Sequence, residues 1–203
     1  CEEERLLKLW EGLGYYNRVR NMQEAAKTVM EEFAGELPSD YGELLKLKGI
    51  GSYTAGAVAS IAYHQPVPAV DGNVLRVITR VAEDSSDIMK QSVKTEIEKR
   101  LAEIIPADHA GQFNQALMEL GAIVCLPNGQ PLCGKCPWQS FCRARFHDKI
   151  SEIPVKTKAK ARKIQNRTVF VIRRQDKVIL HKRPAKGLLA GMYEFPNVEG
   201  TLS

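Results

Sequence analysis

Four cysteines, Cys125, Cys133, Cys136 and Cys142, lie in "CLPNGQPLCGKCPWQSFC" at a C-x7-C-x2-C-x5-C spacing. Thiols gathered this closely are metal ligands or disulfide partners. The chain around them reads as helical, with apolar stripes enough for a core, so it needs no covalent staples and disulfides are disfavoured. A structural zinc site usually pairs two close C-x2–4-C knuckles, and only Cys133 and Cys136 form one. Uneven spacings wrapped around one group suit a [4Fe–4S] cluster better. Zinc stays open as the alternative, and either group would hold together a short loop that has little core of its own.

A second constellation is "LKGIGSYTAGAVAS". Gly49 and Gly51 flank Ile50, and a helix begins at once with Ser52 and Tyr53. Glycine permits positive φ and close backbone approach, and a helix N-terminus offers unpaired N–H groups with a favourable dipole. Together these make a seat for a phosphate, to which Lys48 could add a charge. The plain alternative is a helix–turn–helix with a glycine turn. Eighteen residues beyond Tyr53, "PAVDGNVLRV" places Asp71 just ahead of an apolar periodicity. Asp71 is either a helix N-cap, contributing about 1 kcal/mol, or a carboxylate presented to a cleft from a helix N-terminus.

The elements that must position these residues are helices through the first two-thirds of the chain. Val19, Met22, Ala26, Val29, Met30 and Phe33 keep a period near 3.6, with Gly35 and Pro38 as stops. Asp40 and Glu43 form a capping box for "YGELLKLK". Val93, Ile97, Leu101 and Ile104 make one further stripe, ended by Pro106. Phe113, Ala116, Leu117, Leu120 and Val124 make another. In "SEIPVKTKAKARKIQNR" periodicity disappears, and Lys156, Lys158, Lys160, Arg162, Lys163 and Arg167 meet little acid. This reads as a basic tether, either merely solvated or touching phosphates as well. "TVFVIRR" and "KVILHKR" around "QD" then read as a β-hairpin, opening a second domain of mixed α/β type.

Of 203 residues, 44% are hydrophobic and 26% charged, and the formal net charge is +5. The apolar run near Ala55–Ala62 is too short to cross a bilayer. The basic balance suits a polyanion partner. The chain opens on Cys1 and runs straight into a helical pattern, so its natural ends are expected to lie outside this sequence. His64, His109, His147 and His181 are scattered and suggest no ligand set.

The conjunction of a K-G-I-G hairpin, an aspartate about twenty residues on and a late four-cysteine loop resembles the helix-hairpin-helix DNA glycosylases, the superfamily that includes endonuclease III. "WEGLGYYNRVRNM" (Trp10–Met22), "AVDGNVLRV", "FNQALMELGAIVC" and "GLLAGMYEFP" (Gly187–Pro196) are similar to the A/G-specific adenine glycosylases within it. The resemblance implies a mainly α fold, followed by the start of an α/β Nudix-like domain. The implied divisions are a partial six-helix barrel with the hairpin over 1–64, an iron–sulfur cluster domain over 65–147, a basic linker over 148–166 and the Nudix-like start over 167–203.

The function implied is removal of adenine mispaired with 8-oxoguanine or guanine from duplex DNA, by base flipping and hydrolysis of the N-glycosidic bond. Asp71 would stabilise the sugar cation, and Lys48, Gly49, Ile50, Gly51 and Ser52 would seat the DNA. Tyr15, or else Tyr16, would wedge beside the oxidised base, with a core aromatic as the alternative. In relatives that also cut the strand a lysine stands where Tyr53 is; tyrosine cannot form the Schiff base, so little or no lyase activity is expected. The cysteines would carry [4Fe–4S], although the usual first interval has six residues and this one has seven. The family's acidic glutamate lies upstream of "WEGLGYY" and is matched by none of Glu2, Glu3, Glu4 or Glu11, so the chain as given is expected to be crippled in catalysis. A monomer in the bacterial cytoplasm, associated with the nucleoid through DNA and with no membrane contact, completes the expectation. The rivals are a glycosylase of other base specificity, a non-catalytic DNA-binding module and a plain zinc protein.

Overall fold

The computed structural model describes residues 1–158 and 161–201; Lys160 of the basic stretch and the last two residues of the expected second domain lie outside them. The chain divides into two units, Cys1–Thr157 and Lys158–Ser203. No helix among the described residues is long and apolar enough to cross a membrane.

The first unit is all helical: α1 (Glu3–Leu9), α2 (Tyr16–Glu32), α3 (Tyr41–Lys46), α4 (Ser52–Tyr63), α5 (Gly72–Ala82), α6 (Gln91–Ile104), α7 (Ala110–Glu119) and the short α8 (Arg143–Phe146). The capping box works as expected at its first half, since the Asp40 carboxylate accepts from the Glu43 N–H at 3.0 Å. The Val19 stripe forms α2, which breaks before Gly35 in its left-handed conformation. The α6 stripe differs at its end. Ile104 turns to solvent, and Ile105, one residue past the helix in extended backbone, is buried in its place.

Two apolar clusters build the body. In one, Leu44, Leu47, Ala55 and Ala59 join α3 to α4, with Val29 of α2 and Phe33 just past its end packed against them. In the other, Val74, Leu75, Val77, Ile97, Leu101 and Leu117 join α5, α6 and α7. At two glycines the seam between them brings backbone close to backbone. A Cβ on Gly56 of α4 would lie 2.2 Å from the Pro68 carbonyl oxygen, and one on Gly111 of α7 would lie 2.9 Å from that of Ser60. The small residues of "TAGAVAS" are therefore a backbone-to-backbone contact surface. Asn114, fully buried on α7, stitches the seam: it donates to Ser60 Oγ at 2.8 Å and to the Val67 carbonyl at 2.9 Å, and accepts from the Ala69 N–H at 3.0 Å. Its three bonds satisfy an amide that would be costly to bury otherwise.

Part of the stretch read as a tether packs on this body. Ile153 is buried, its carbonyl accepts from Arg80 Nε at 2.7 Å, and Ile88 donates its N–H to the Val155 carbonyl.

The second unit carries three short antiparallel pairs: β1 (Arg167–Val169) with β6 (Asn197–Glu199), β2 (Arg173–Arg174) with β3 (Lys177–Val178), and β4 (His181–Lys182) with β5 (Tyr193–Glu194). The hairpin around "QD" is there, with Gln175 at positive φ. Its strands are two residues long on each side, with one further bond from the Ile179 N–H to the Ile172 carbonyl at 3.0 Å. The outer halves of both runs find other partners, as where Phe170 donates its N–H to the Pro196 carbonyl.

Candidate nucleic-acid interface and cysteine centre

The glycine hairpin is built as a tight backbone turn between α3 and α4. Gly49 has φ +80, and a Cβ there would lie 2.6 Å from Asn21 Cβ, so α2 presses directly on the turn. Ile50 anchors the turn in the first core cluster, while Lys48 stays exposed. Gly51 is the N-cap of α4 and has no side chain to satisfy the first N–H groups, which are left for an outside acceptor. Ser52 Oγ accepts from Lys94 Nζ at 3.0 Å, and Lys94 also pairs with Glu98 at 3.6 Å. This brings to the hairpin a cation from α6 that the sequence reading passed over. Tyr53 is 38% exposed, and its hydroxyl meets Met118 Sδ of α7 at 3.6 Å.

Asp71 is the N-cap of α5. One carboxylate oxygen accepts from the Asn73 and Val74 N–H groups, both at 2.8 Å, and the other accepts from Asn73 Nδ2 at 2.9 Å. The capping alternative is thus realised, and it fixes the carboxylate in one orientation. Both α4, with Tyr53, and α5, behind Asp71, pack on α7.

Tyr15 is 89% exposed and sits in left-handed backbone at φ +50 as the N-cap of α2. Such a conformation is costly for an aromatic residue. Trp10 steadies the turn by donating its indole N–H to the Gly14 carbonyl at 2.8 Å. Tyr15 is therefore no core aromatic, whereas Tyr16 is half-buried.

Cys125, Cys133, Cys136 and Cys142 line one cavity, with Val77, Val81, Leu120 and Trp138 among its apolar walls. Burial first, then the charges of Cys125, Cys142 and Cys136, push the Cys133 thiol above its ordinary range. Four sulfurs lining one cavity are a soft donor set of the kind that thiolate-held metal groups use. Among the described residues, no three His, Cys, Asp or Glu side chains group as the ligands of one metal ion. The donor chemistry fits a group held by thiolates.

Two buried arginines on α5, which the sequence reading missed, hold the cysteine loop, and Arg76 links it through Asn73 to Asp71. Arg76, 3% exposed, donates to the Cys125 carbonyl at 2.8 Å, the Gly121 carbonyl at 2.7 Å and Asn73 Oδ1 at 2.9 Å. Arg80, 5% exposed, donates to Cys125 Sγ at 3.3 Å and the Leu126 carbonyl at 3.0 Å. The signal available in sequence was two arginines four residues apart inside the apolar run "VLRVITRV".

A glycine hairpin opening one helix, a capped aspartate opening the next and a four-cysteine loop on an all-helical body define a helix-hairpin-helix repair fold. The chain belongs to the family described as HhH-GPD superfamily base excision DNA repair protein, whose pattern matches residues 1–106. It is 40% identical over 215 residues to the adenine DNA glycosylase of Arabidopsis thaliana, covering 97% of this chain and 33% of that protein. It is 34% identical over 241 residues to the adenine DNA glycosylase of Homo sapiens, covering 96% and 44%. The chain thus spans a third to under half of these relatives. Among solved structures, endonuclease III trapped as a covalent intermediate with DNA superposes with a TM-score of 0.62 at 32% identity, over 73% of this chain and 68% of that one. A thermostable thymine-DNA glycosylase gives 0.62 at 26% identity, over 72% and 67%.

Proposed function

We propose that the protein removes adenine paired with 8-oxoguanine or guanine from duplex DNA by hydrolysing the N-glycosidic bond. The observation that carries this reading is Asp71, held by three hydrogen bonds at the N-terminus of α5, in a chain whose relatives are named adenine DNA glycosylases. Lys48, Gly49, Ile50, Gly51 and Ser52 seat a backbone phosphate on the α4 N-terminus. The adenine is flipped out of the stack, and Asp71 stabilises the sugar cation as the bond breaks. A carboxylate about 4 Å from that cation contributes roughly 4 kcal/mol at an effective dielectric near 20, about a thousandfold in rate. Tyr53 supplies no amine, so the strand stays uncut. Tyr15, exposed on its left-handed turn, wedges beside the oxidised base, with Tyr16 as the alternative.

The four cysteines would hold a [4Fe–4S] cluster, and Arg76 and Arg80 fasten their loop to α5. The organisation that goes with this reading is a hairpin lobe over 1–64, a cluster domain over 65–147, a basic linker over 148–166 and a Nudix-like start over 167–203. The protein works as a monomer in the cytoplasm, on DNA.

The test is adenine release under single-turnover conditions from a duplex carrying 8-oxoguanine opposite adenine. This chain is compared with a version extended upstream by the helix that bears the acidic glutamate in the resembling family. Release by the extended protein alone is the expected result, and release by both would place the acid within these residues. Release by neither, with binding intact, would overturn the reading in favour of another base specificity.

A further inference from the structure

Gly121 lies buried in a single π-helical turn, Leu120–Val124, that continues α7 toward the cysteines. Its φ is not in the left-handed region, so its backbone does not require glycine. Space does. A Cβ at Gly121 would lie 2.6 Å from Asn73 Cβ and 3.1 Å from the Asn73 Cα and carbonyl carbon, well inside ordinary carbon contact. The π turn explains the other half of the contact. In a regular α-helix the Cys125 N–H would bond the Gly121 carbonyl; here it bonds the Leu120 carbonyl instead, at 2.7 Å. The Gly121 carbonyl is thereby freed and accepts from Arg76 at 2.7 Å, from the same nitrogen that donates to Asn73 Oδ1 at 2.9 Å. Asn73 in turn holds the second oxygen of Asp71.

We infer that Gly121 and its π turn are a positioning device for Asp71. The bare glycine face sets how close Asn73 sits, its carbonyl shares the Arg76 clamp, and Asn73 passes that placement to the carboxylate. This inference rests on the reading of Asp71 as the reacting carboxylate.

The test is Gly121→Ala in the upstream-extended protein, with duplex affinity, single-turnover adenine release and the NMR signals of the Asn73 side-chain amide and the Arg76 guanidinium all recorded. The expected result is a ten- to hundredfold slower release, duplex affinity within about threefold, and displaced Asn73 and Arg76 signals. In an Asn73→Ala background the same substitution should slow release no further, because its effect has lost its carrier. Full additivity with Asn73→Ala, or an unchanged rate, overturns the inference. If Gly121→Ala does not fold, the Gly121→Ala/Asn73→Gly pair removes the clashing Cβ. A rate equal to that of Asn73→Gly alone then supports the inference, and a further loss overturns it. Should the parent release no adenine at all, the functional reading fails by itself. The NMR signals then decide the device separately: displacement supports it, and unmoved signals overturn it.

Discussion

On the proposed reading Asp71 carries two duties, and one substitution separates them. As an N-cap it needs only an acceptor oxygen, and asparagine serves there as well as aspartate. As a partner to a cation it needs the charge. Asp71→Asn should therefore leave the fold and duplex affinity nearly unchanged while adenine release falls about a thousandfold or more; an equal loss of binding would contradict the assignment. Tyr53 tests the same site from the other side. Tyr53→Lys puts an amine on the first turn of α4, and treatment with borohydride should then trap a covalent adduct with nicked duplex. No adduct would mean that the pocket geometry, and not merely the residue type, forbids strand cleavage. Asp71 was visible in sequence because a cap must stand just ahead of an apolar period. Arg76 and Gly121 were not, because they meet partners 45 to 49 residues away, and Asn73 was not, because its contact with Gly121 is defined by a missing Cβ.

At the scale of elements, α5 is the shaft that joins the candidate site to the cysteine loop, and both of its ends are tied. Its far end is held by Glu83, the C-cap, in left-handed backbone. The Glu83 carboxylate accepts from Lys149 Nζ at 2.8 Å and from His147 Nδ1, with Arg143 at 3.9 Å. Those bonds, Lys149 first, hold its pKa down at about 2. The unfolded value is about 4.3, so the stabilisation is fully present above that value and is lost as pH falls toward 2. Glu83→Gln should lower the melting temperature by a few degrees at neutral pH, and the gap to the parent should close between about pH 4 and pH 2. A gap unchanged by pH would mean that the carboxylate contributes shape alone. The helices themselves were legible wherever apolar residues kept a 3.6 period. Ile104 misled because the chain leaves the helix one residue early enough for Ile105 to take the buried place. The π turn was hidden, since the stripe from Phe113 to Val124 reads equally well with or without one extra residue.

The whole first unit has two apolar clusters, and the cysteine loop leans on only one of them: Cys125 and Trp138 pack against the α5–α7 cluster. Anaerobically purified protein should contain about four iron atoms and as many acid-labile sulfides per chain; one zinc instead would support the alternative occupant. Stripping the metal should expose the amides of α5 and residues 120–142 to hydrogen exchange, while α3 and α4 keep their protection. Uniform loss across both clusters would mean that the unit opens as a single cooperative block.

The glycine seam between those clusters has a consequence for how a base could be reached. At Gly56 and Gly111 the backbones lie so close that a Cβ would strike the Pro68 and Ser60 carbonyls, and the buried Asn114 side chain locks the same seam. Such a joint resists sliding, since movement would cost the Asn114 bonds or drive backbone against backbone. On the proposed reading, the work of bending and opening then falls to the duplex, which yields most readily where a mispair has already weakened its stacking.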